Sequence, residues 1–506
     1  MKNWYLSIYK GLSSPTFFWI VIGVFLFQAL WLVFSAIYPM AFDEAYHFGV
    51  IQIYANQWLP FIAEHPEGAD TFATVHRYPS YLFHYLLSFP YRVFALFSDN
   101  QVAQIIFLRL INVGFFTYTL ILLRKLFVKS GVSPALTHVG LLFFTFIPIV
   151  PLLAAHINYD NLLILLIVWI LILAVDIIKN LQEQIIDTKK LLILGVVAIF
   201  TSIVKYAALP ILAAIAVFLS LYSLWVFRGY ASKLLTAISN GWKQISPKFK
   251  IILPLLLLLS MGLAFERYGL NLINHEALIP ACDEVLTHEQ CLEFGPYERN
   301  FNYKQRIDPE FEPSILEHVS RWHSGMWYRL FFMINGDVEV DRYHNFPPLP
   351  IMAATFTALF ILGLVSMITY ARSIFKNRPD LLMMLIVAIF YALVLWQMNY
   401  SSYIANGRTA ALNGRYLLLI IPSVIILMSL GVSKLFKSKL KLKIASVLLA
   451  TLLLLQGGGV TSFIIRSSQT WYWPNETVWQ INTNADKTLS PVIFGSEDQH
   501  LNFVPR

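Results

Sequence analysis

Apolar segments of about 20 residues, the length that a helix needs to cross the hydrocarbon layer, follow one another along most of the chain. Polar connections, two of them long, separate these segments. The apolar runs cover 16–38, 103–127, 135–153, 157–178, 189–204, 206–227, 251–268, 349–371, 380–398, 415–433 and 442–465. The pattern predicts an all-α polytopic membrane protein with about 11 transmembrane helices.

The composition agrees with this pattern and excludes an ordinary soluble domain. Hydrophobic residues make up 57% of the 506 residues and charged residues only 13%, whereas soluble domains carry about 25% charged residues. We expect one transmembrane domain over 1–465 and a short external C-terminal tail over 466–506.

Lysine and arginine concentrate in alternate connections, and this alternation predicts an orientation. Lys2 and Lys10 precede the first run, and basic residues recur in every second connection after it. The positive-inside rule then places the N-terminus in the cytoplasm. The external parts are 39–102, 269–348, 399–414 and the tail. Because this distribution accounts for the net charge of +8, the charge does not indicate a nucleic-acid partner.

Two further amphipathic segments are predicted to lie on the outer surface of the membrane. A span over 79–97 would move Arg124 outside and break the charge alternation, so this segment is expected in the interface, with Tyr78 among its anchors. A second interfacial helix is predicted over 314–334, with Ser314 as its N-cap and Asn335-Gly336 as its stop.

The two cysteines, Cys282 and Cys291, both fall in the long external loop. A disulfide within this loop fits an oxidising compartment. Two free thiols are the alternative. A zinc site is disfavoured because there is no CxxC pair and no matching fourth ligand.

The first external segment opens with a group of polar residues. Asp43 occupies a helix N-cap position, where its carboxylate would accept bonds from backbone N–H groups. Asp43, Glu44 and His47 then share one helix face, because they are spaced by three and four residues. Carboxylates beside an imidazole suit proton abstraction or metal binding. The alternative, which the spacing leaves open, is that the acids only cap the helix and complement its dipole.

Other polar residues interrupt the apolar pattern on the same side. Asp160 begins the fourth span, where a simple cap is the alternative. Lys205 separates two apolar runs and would suit a phosphate, with snorkelling to the interface as the alternative. Arg408 and Arg415 each follow an Asn-Gly pair in a connection without acidic residues, which favours an anionic partner.

These motifs together resemble the GT-C membrane glycosyltransferases. The resemblance rests on the acidic pair followed by His47 after the first span, Arg77-Tyr78-Pro79, Arg109-Leu-Ile-Asn112, Asn158-Tyr-Asp160-Asn161, Val204-Lys205-Tyr206 and Asn413-Gly-Arg415-Tyr. The chain looks similar to the protein O-mannosyltransferase and aminoarabinose-transferase branch and its bacterial relatives. The likeness covers most of 30–430. The long external loop and the tail match no known pattern.

The resemblance implies a GT-C-like bundle in the plasma (inner) membrane that transfers a sugar from a polyprenyl-phosphate-linked donor to an acceptor hydroxyl outside. The acceptor would be a glycan, a lipid or a protein. Asp43 would act as the base, while Glu44 and His47 would orient it or hold a divalent cation such as Mg or Mn. The departing phosphate would be stabilised by Lys205, Arg408 and Arg415. Arg77, Tyr78 and Asp160 would shape the site.

Two other classes of activity stay open. A lipid-linked glycan polymerase or ligase would share the fold and the donor. A transporter or flippase would need inverted repeats or broken helices near the midplane. No such repeat is evident in the sequence, and the acidic residues cluster in external loops.

Overall fold

The computed structural model describes residues 2–41, 43–228, 231–331, 333–337, 342–346, 349–409, 412–436 and 438–494. These residues form 23 α-helices and one antiparallel two-stranded hairpin. The helices are α1 Lys2–Leu12, α2 Pro15–Ser35, α3 Glu44–Ala55, α4 Leu82–Ala95, α5 Gln101–Lys129, α6 Pro134–Phe146, α7 Ile149–Ala154, α8 Asp160–Gln182, α9 Thr188–Val204, α10 Leu209–Val226, α11 Ala231–Lys243, α12 Pro247–Ala264, α13 Leu270–His275, α14 His288–Leu292, α15 Gly295–Gln305, α16 Ile315–Tyr328, α17 Pro350–Thr369, α18 Ala371–Phe375, α19 Pro379–Asn406, α20 Ile421–Leu435, α21 Lys439–Gln456, α22 Gly459–Arg466 and α23 Glu476–Phe494, and the strands are β1 Met333–Asp337 and β2 Arg342–Phe346.

Eight helical segments in the described part of the chain are long and apolar enough to cross a membrane. They are Pro15–Ser35, Gln101–Lys129, Asp160–Gln182, Tyr206–Val226, Pro247–His275, Pro350–Thr369, Pro379–Asn406 and Leu440–Arg466. The other three predicted runs also form helices, but shorter ones: α6, α9 and α20. The run over 135–153 is divided because Pro148 cannot continue α6. The structure therefore supports a polytopic helical membrane protein, but not the count of 11 full-length spans.

The basic connections meet at one end of the bundle, which we call the basic end. Lys129 Nζ lies 2.5 Å from Asp176 Oδ1, and Lys179 Nζ donates to the Lys129 carbonyl oxygen. Arg378 Nη2 donates to the Ser130 carbonyl oxygen at 3.0 Å. Three of the connections predicted to share a side are thus in direct contact. Which side of the membrane they face stays a prediction.

The two predicted interfacial segments form α4 and α16. The 14 residues of α4 fall outside the candidate spans. Ser314 accepts from the backbone of Glu317 at the start of α16, but the predicted stop at Asn335-Gly336 is wrong, because α16 ends at Tyr328 and these residues lie in β1. The helix cannot continue there, since the carbonyl oxygen of Leu330 accepts instead from Ile149 N at 3.1 Å.

The C-terminal tail packs against the end of α2. Ile37 N donates to the Trp471 carbonyl oxygen at 2.9 Å, and Trp473 N donates to the Ser35 carbonyl oxygen at 3.0 Å. The chain reaches this position after Gly457, whose φ of +75° breaks the last apolar run between α21 and α22. The tail is therefore packed against the helical bundle at the end of α2. Residues 495–506 lie outside the described part.

In the long loop over 269–348, Cys282 is joined to Cys291 by a disulfide, with a Cα–Cα distance of 5.8 Å. Cys291 lies in α14 and is completely buried. The bond holds the short helices of this loop together.

Candidate functional site

Four charged side chains from four separate segments form one chain of ion pairs. Arg415 Nη2 lies 2.9 Å from Asp43 Oδ2, and Arg415 Nε lies 3.6 Å from Asp160 Oδ2. The other oxygen of Asp160 is 2.7 Å from Lys205 Nζ. Two carboxylates therefore alternate with two cations. We call this group the charged cluster, and the end of the bundle that carries it the site end.

The charged cluster is buried except at Asp43. The Asp43 side chain is 50% exposed, whereas the side chains of Arg415, Asp160 and Lys205 are at most 7% exposed. A carboxylate at the open edge is accessible to a solute, while the buried cations behind it act in surroundings of low dielectric constant, where they attract an anion strongly.

Asp43 does not cap α3 as the sequence predicted. It occupies the N-cap position with a left-handed backbone (φ +64°), and its side chain accepts no capping hydrogen bond. The left-handed conformation, which asparagine and aspartate tolerate best among non-glycine residues, turns the carboxylate away from the first turn of α3. Arg415, rather than backbone N–H groups, holds it.

Lys205 does not snorkel. It lies at the C-cap of α9 and is 5% exposed. Its ammonium group sits 4.3 Å from the centre of the Tyr159 ring and 5.0 Å from that of Tyr416. Cation–π contacts of this kind stabilise a desolvated ammonium. The chain therefore keeps a positive charge inside the protein at the site end.

Glu44 points away from Asp43 and is fully buried. Its two oxygens accept from Arg109 Nε and Nη2, each at 2.8 Å. They also accept from the backbone N–H of Met40 at 2.8 Å and of Ile157 at 3.1 Å. Burial raises the pKa of Glu44, but the charge and hydrogen bonds of Arg109 outweigh that effect, so the pKa lies below its ordinary value.

Arg109 extends this contact to the end of α2. Its guanidinium donates to the carbonyl oxygens of Ala36 at 2.7 Å and Ile37 at 3.1 Å, and its carbon atom lies 5.4 Å from the centre of the Trp473 ring. The Glu44–Arg109 pair thus fixes the segment before Asp43 and, through Ile157, the segment before Asp160. It positions both carboxylates of the charged cluster.

A second hydrogen-bonded group holds the start of α8. Asn161 Nδ2 donates to Asn112 Oδ1 at 3.0 Å and to the Leu153 carbonyl oxygen at 3.0 Å. Asn158 Oδ1 accepts from Asp160 N at 2.9 Å. Asp160 is therefore not needed as a cap, and its carboxylate is directed to Lys205 and Arg415 instead.

The His47 side chain contacts another imidazole. His47 Nδ1 lies 2.8 Å from His84 Nε2, and both rings are buried. Burial holds the pKa of His47 well below its ordinary value, and His84 lowers it further. Burial also lowers the pKa of His84 to about 3. Both imidazoles are therefore neutral at neutral pH.

The remaining predicted site residues lie against other partners. Arg408 is exposed, and its guanidinium sits 5.4 Å from the centre of the Tyr303 ring in α15. Arg77 Nη2 pairs with Glu266 Oε1 at 2.9 Å, and the Tyr78 ring lies edge-on to Tyr206, with centroids 6.0 Å apart. Tyr206 follows Lys205 directly, so Tyr78 borders the charged cluster. Arg408, in the connection over 399–414, instead lies against Tyr303.

The proposed metal ligands Glu44 and His47 do not suit a divalent cation. Both oxygens of Glu44 are already used by Arg109 and by backbone N–H groups, and a metal ion at this position would meet the positive charge of Arg109. The described residues also contain no group of three or more His, Cys, Asp or Glu side chains with the spacing of a metal site.

The sequence alone assigned no role to four residues of the site, which are Arg109, His84, Tyr159 and Tyr416. A signal existed for Arg109, because an arginine in the middle of an apolar run requires a buried partner. No comparable signal marks His84 or the two tyrosines. Their contacts with His47 and Lys205 join residues that are far apart in the sequence.

The chain was compared with known proteins. No family model and no curated protein matches it. Among solved structures, the chain is similar to the apo form of the Archaeoglobus fulgidus oligosaccharyltransferase, with 14% identity and a TM-score of 0.43 over 100% of this chain and 62% of that one. The form tethered with an acceptor peptide containing the NVT sequon has 13% identity and a TM-score of 0.43 over 96% of this chain and 61% of that one. AglB from the same organism, in complex with an inhibitory peptide and a dolichol-phosphate, has 14% identity and a TM-score of 0.42 over 97% of this chain and 62% of that one. The chain thus spans about three fifths of the length of these structures.

Proposed function

We propose that this protein is an inverting glycosyltransferase that moves a sugar from a polyprenyl-phosphate-linked donor to an acceptor hydroxyl on the outer face of the membrane. The observation that carries the proposal is the charged cluster, in which an accessible carboxylate is held by a buried arginine beside a buried lysine. A base and an anion site are therefore adjacent, as a transfer from a phosphate leaving group requires.

The two buried cations are suited to the phosphate of the donor. As the bond between the anomeric carbon and the phosphate oxygen breaks, the electron pair goes to the phosphate and its negative charge grows. Lys205 and Arg415 would stabilise that charge. Their attraction for it is stronger because both side chains are shielded from water. Asp160 keeps them in place while the site is empty, because it contacts both.

Asp43 would serve as the base. In the structure its carboxylate is engaged by Arg415. A donor phosphate would compete for the same guanidinium and release Asp43. The freed carboxylate would take the proton of the acceptor hydroxyl while the acceptor oxygen bonds to the anomeric carbon. Donor binding would thus activate the base.

A lipid-borne donor also explains how a sugar could reach the site without a domain that binds a nucleotide sugar. At the basic end, the longest described connection is the one that contains α11, a helix of 13 residues. This segment is too small to form a nucleotide-binding domain. A sugar carried on a polyprenyl phosphate reaches the site end through the bilayer instead.

The test is sugar transfer by the purified protein in detergent, where no gradient exists. A panel of polyprenyl-phosphate sugars is added with a crude acceptor fraction, and the release of free polyprenyl phosphate is followed by mass spectrometry. We expect release with at least one donor and its loss in Asp43→Asn. Binding of a donor without cleavage, in wild type and variant alike and with every acceptor fraction, would contradict the proposal.

A further inference from the structure

Two grooves lie at the basic end, on the two sides of α11. Each has a volume of about 360 Å³. They share Ile186, which lies in the connection between α8 and α9. This position is far from the charged cluster, because Asp160 begins α8 and the grooves lie near its end, 22 residues later, or roughly 33 Å along a helix.

The two grooves differ in chemistry. One is lined mainly by polar side chains, which are Gln184, Ser232, Lys233, Thr236, Asn240 and Gln244. The other is lined mainly by aliphatic ones, which include Ile177, Leu181, Leu219, Leu224, Leu234 and Ile238. The one acidic residue of the apolar groove, Asp187, is paired with Lys190 at 3.2 Å. A molecule that fills both grooves needs a polar head and an apolar chain.

The charge around α11 specifies the head. Between residues 228 and 250 the chain carries five basic residues and no acidic one. They are Arg228, Lys233, Lys243, Lys248 and Lys250. Exposed Leu235 and Trp242 lie on the same helix, as in helices that rest on a membrane surface. A basic amphipathic helix of this kind attracts anionic headgroups.

The position of α11 is fixed by close packing. A Cβ atom on Gly241 would lie 2.2 Å from the carbonyl oxygen of Ile186, so only glycine allows this approach. Thr188 Oγ1 also donates to the Ile238 carbonyl oxygen at 3.3 Å. The grooves are therefore formed by packed elements, and α11 is held against α9.

We propose that the two grooves bind one anionic phospholipid of the adjacent leaflet, with the headgroup phosphate in the polar groove beside Lys233 and an acyl chain in the apolar groove. The ends of α8 and α10 place these grooves where the headgroup layer meets the hydrocarbon. The inference is independent of the proposed transfer reaction, because it concerns the opposite end of the bundle.

The test is native mass spectrometry of delipidated protein titrated with phosphatidylglycerol or phosphatidylcholine. We expect one phosphatidylglycerol to be retained in preference to phosphatidylcholine. Lys233→Gln should weaken its retention about fivefold, the effect of one lysine near an anionic headgroup. Lys434→Gln, an exposed lysine in another basic connection, removes the same charge away from the grooves and should have no effect.

A second pair of variants tests the acyl chain. Ser223→Phe would fill the apolar groove and should reduce retention of phosphatidylglycerol, whereas Val217→Phe adds the same ring on the exposed side of α10 and should not. Equal retention of the two lipids, or equal effects of Lys233→Gln and Lys434→Gln, would overturn the proposal. So would full retention in Ser223→Phe.

Discussion

Asp43 and Arg415 form an ion pair of 2.9 Å although 372 residues separate them. Asp43 comes directly before α3, and Arg415 follows the connection after α19. The pair closes the charged cluster at its exposed edge, because Arg415 also faces Asp160 and thereby connects to Lys205. Any anion that enters the site must compete with Asp43 for this guanidinium.

Lys205→Met should weaken donor binding by about 10- to 100-fold, because it removes a buried charge-assisted contact with the phosphate. Titration with a polyprenyl-phosphate sugar measures the affinity. Arg408→Met is the matched control: it removes an exposed cation that lies against Tyr303, so its effect should be at most a few-fold. A larger loss in Arg408→Met than in Lys205→Met would reverse the assignment of the phosphate site.

Glu44→Gln should destabilise the protein rather than act on catalysis alone. It leaves the fully buried Arg109 without its charge partner, and breaking a buried pair in this way costs about 3–5 kcal/mol. The measurement is the thermal unfolding midpoint in detergent. Replacing both residues, in Glu44→Gln/Arg109→Gln, should recover part of the loss. An unchanged midpoint in Glu44→Gln would show that the pair does not hold the segment before Asp43.

Acidification should destabilise the protein through its buried imidazoles. The pKa of His84 falls to about 3 and that of His156 to about 4 because both are buried. The unfolded chain, with histidine pKa values near ~6.5, therefore binds more protons than the folded one below that pH. Stability is retained above about pH 6.5 and declines as the pH falls toward 4, by roughly 1.4 kcal/mol per pH unit for each histidine.

The thermal midpoint measured between pH 7.5 and 5 tests this expectation. His84→Gln should show a shallower decline than the wild type, even if its midpoint at pH 7.5 is lower. An identical slope in both proteins would mean that His84 is not kept neutral by the fold.

The segment 79–97 should not cross the membrane. The two native cysteines are joined in a disulfide, so single cysteines can be introduced at exposed Glu67 and Asp99 and labelled selectively. Both should react with a membrane-impermeant reagent from the same side, and a cysteine at Lys434 should react from the other. Labelling of Glu67→Cys and Asp99→Cys from opposite sides would show that α4 spans.

The sequence predicted the helices well because hydropathy is a local property: every predicted apolar run contains a helix. It did not predict where the helices are interrupted, because Pro148 and Gly457 divide two of the runs and the run over 415–433 opens with a 3₁₀-helix, Gly414–Leu419, before α20. The basic connections lie at one end of the bundle because successive spans run in opposite directions.

The site was harder to predict because its contacts are long-range. Spacing indicated that Asp43 and Glu44 share a helix face with His47, but it could not show that Glu44 turns to Arg109, 65 residues away. The cap expected for Asp43 does not form, because its backbone is left-handed and Arg415 lies nearby. Lys205 and Arg415 both contact Asp160, whereas Arg408 lies against Tyr303.

The proposed role of Asp43 as the base of a sugar transfer can be examined by comparing one variant with the wild type. Wild type and Asp43→Asn are titrated with the same polyprenyl-phosphate sugar and then assayed for transfer in single turnover. We expect donor affinity to be equal or higher in Asp43→Asn, since Arg415 is released from its partner, and the transfer rate to be lower by about 10²–10⁴-fold. A transfer rate near that of the wild type in Asp43→Asn would contradict this role.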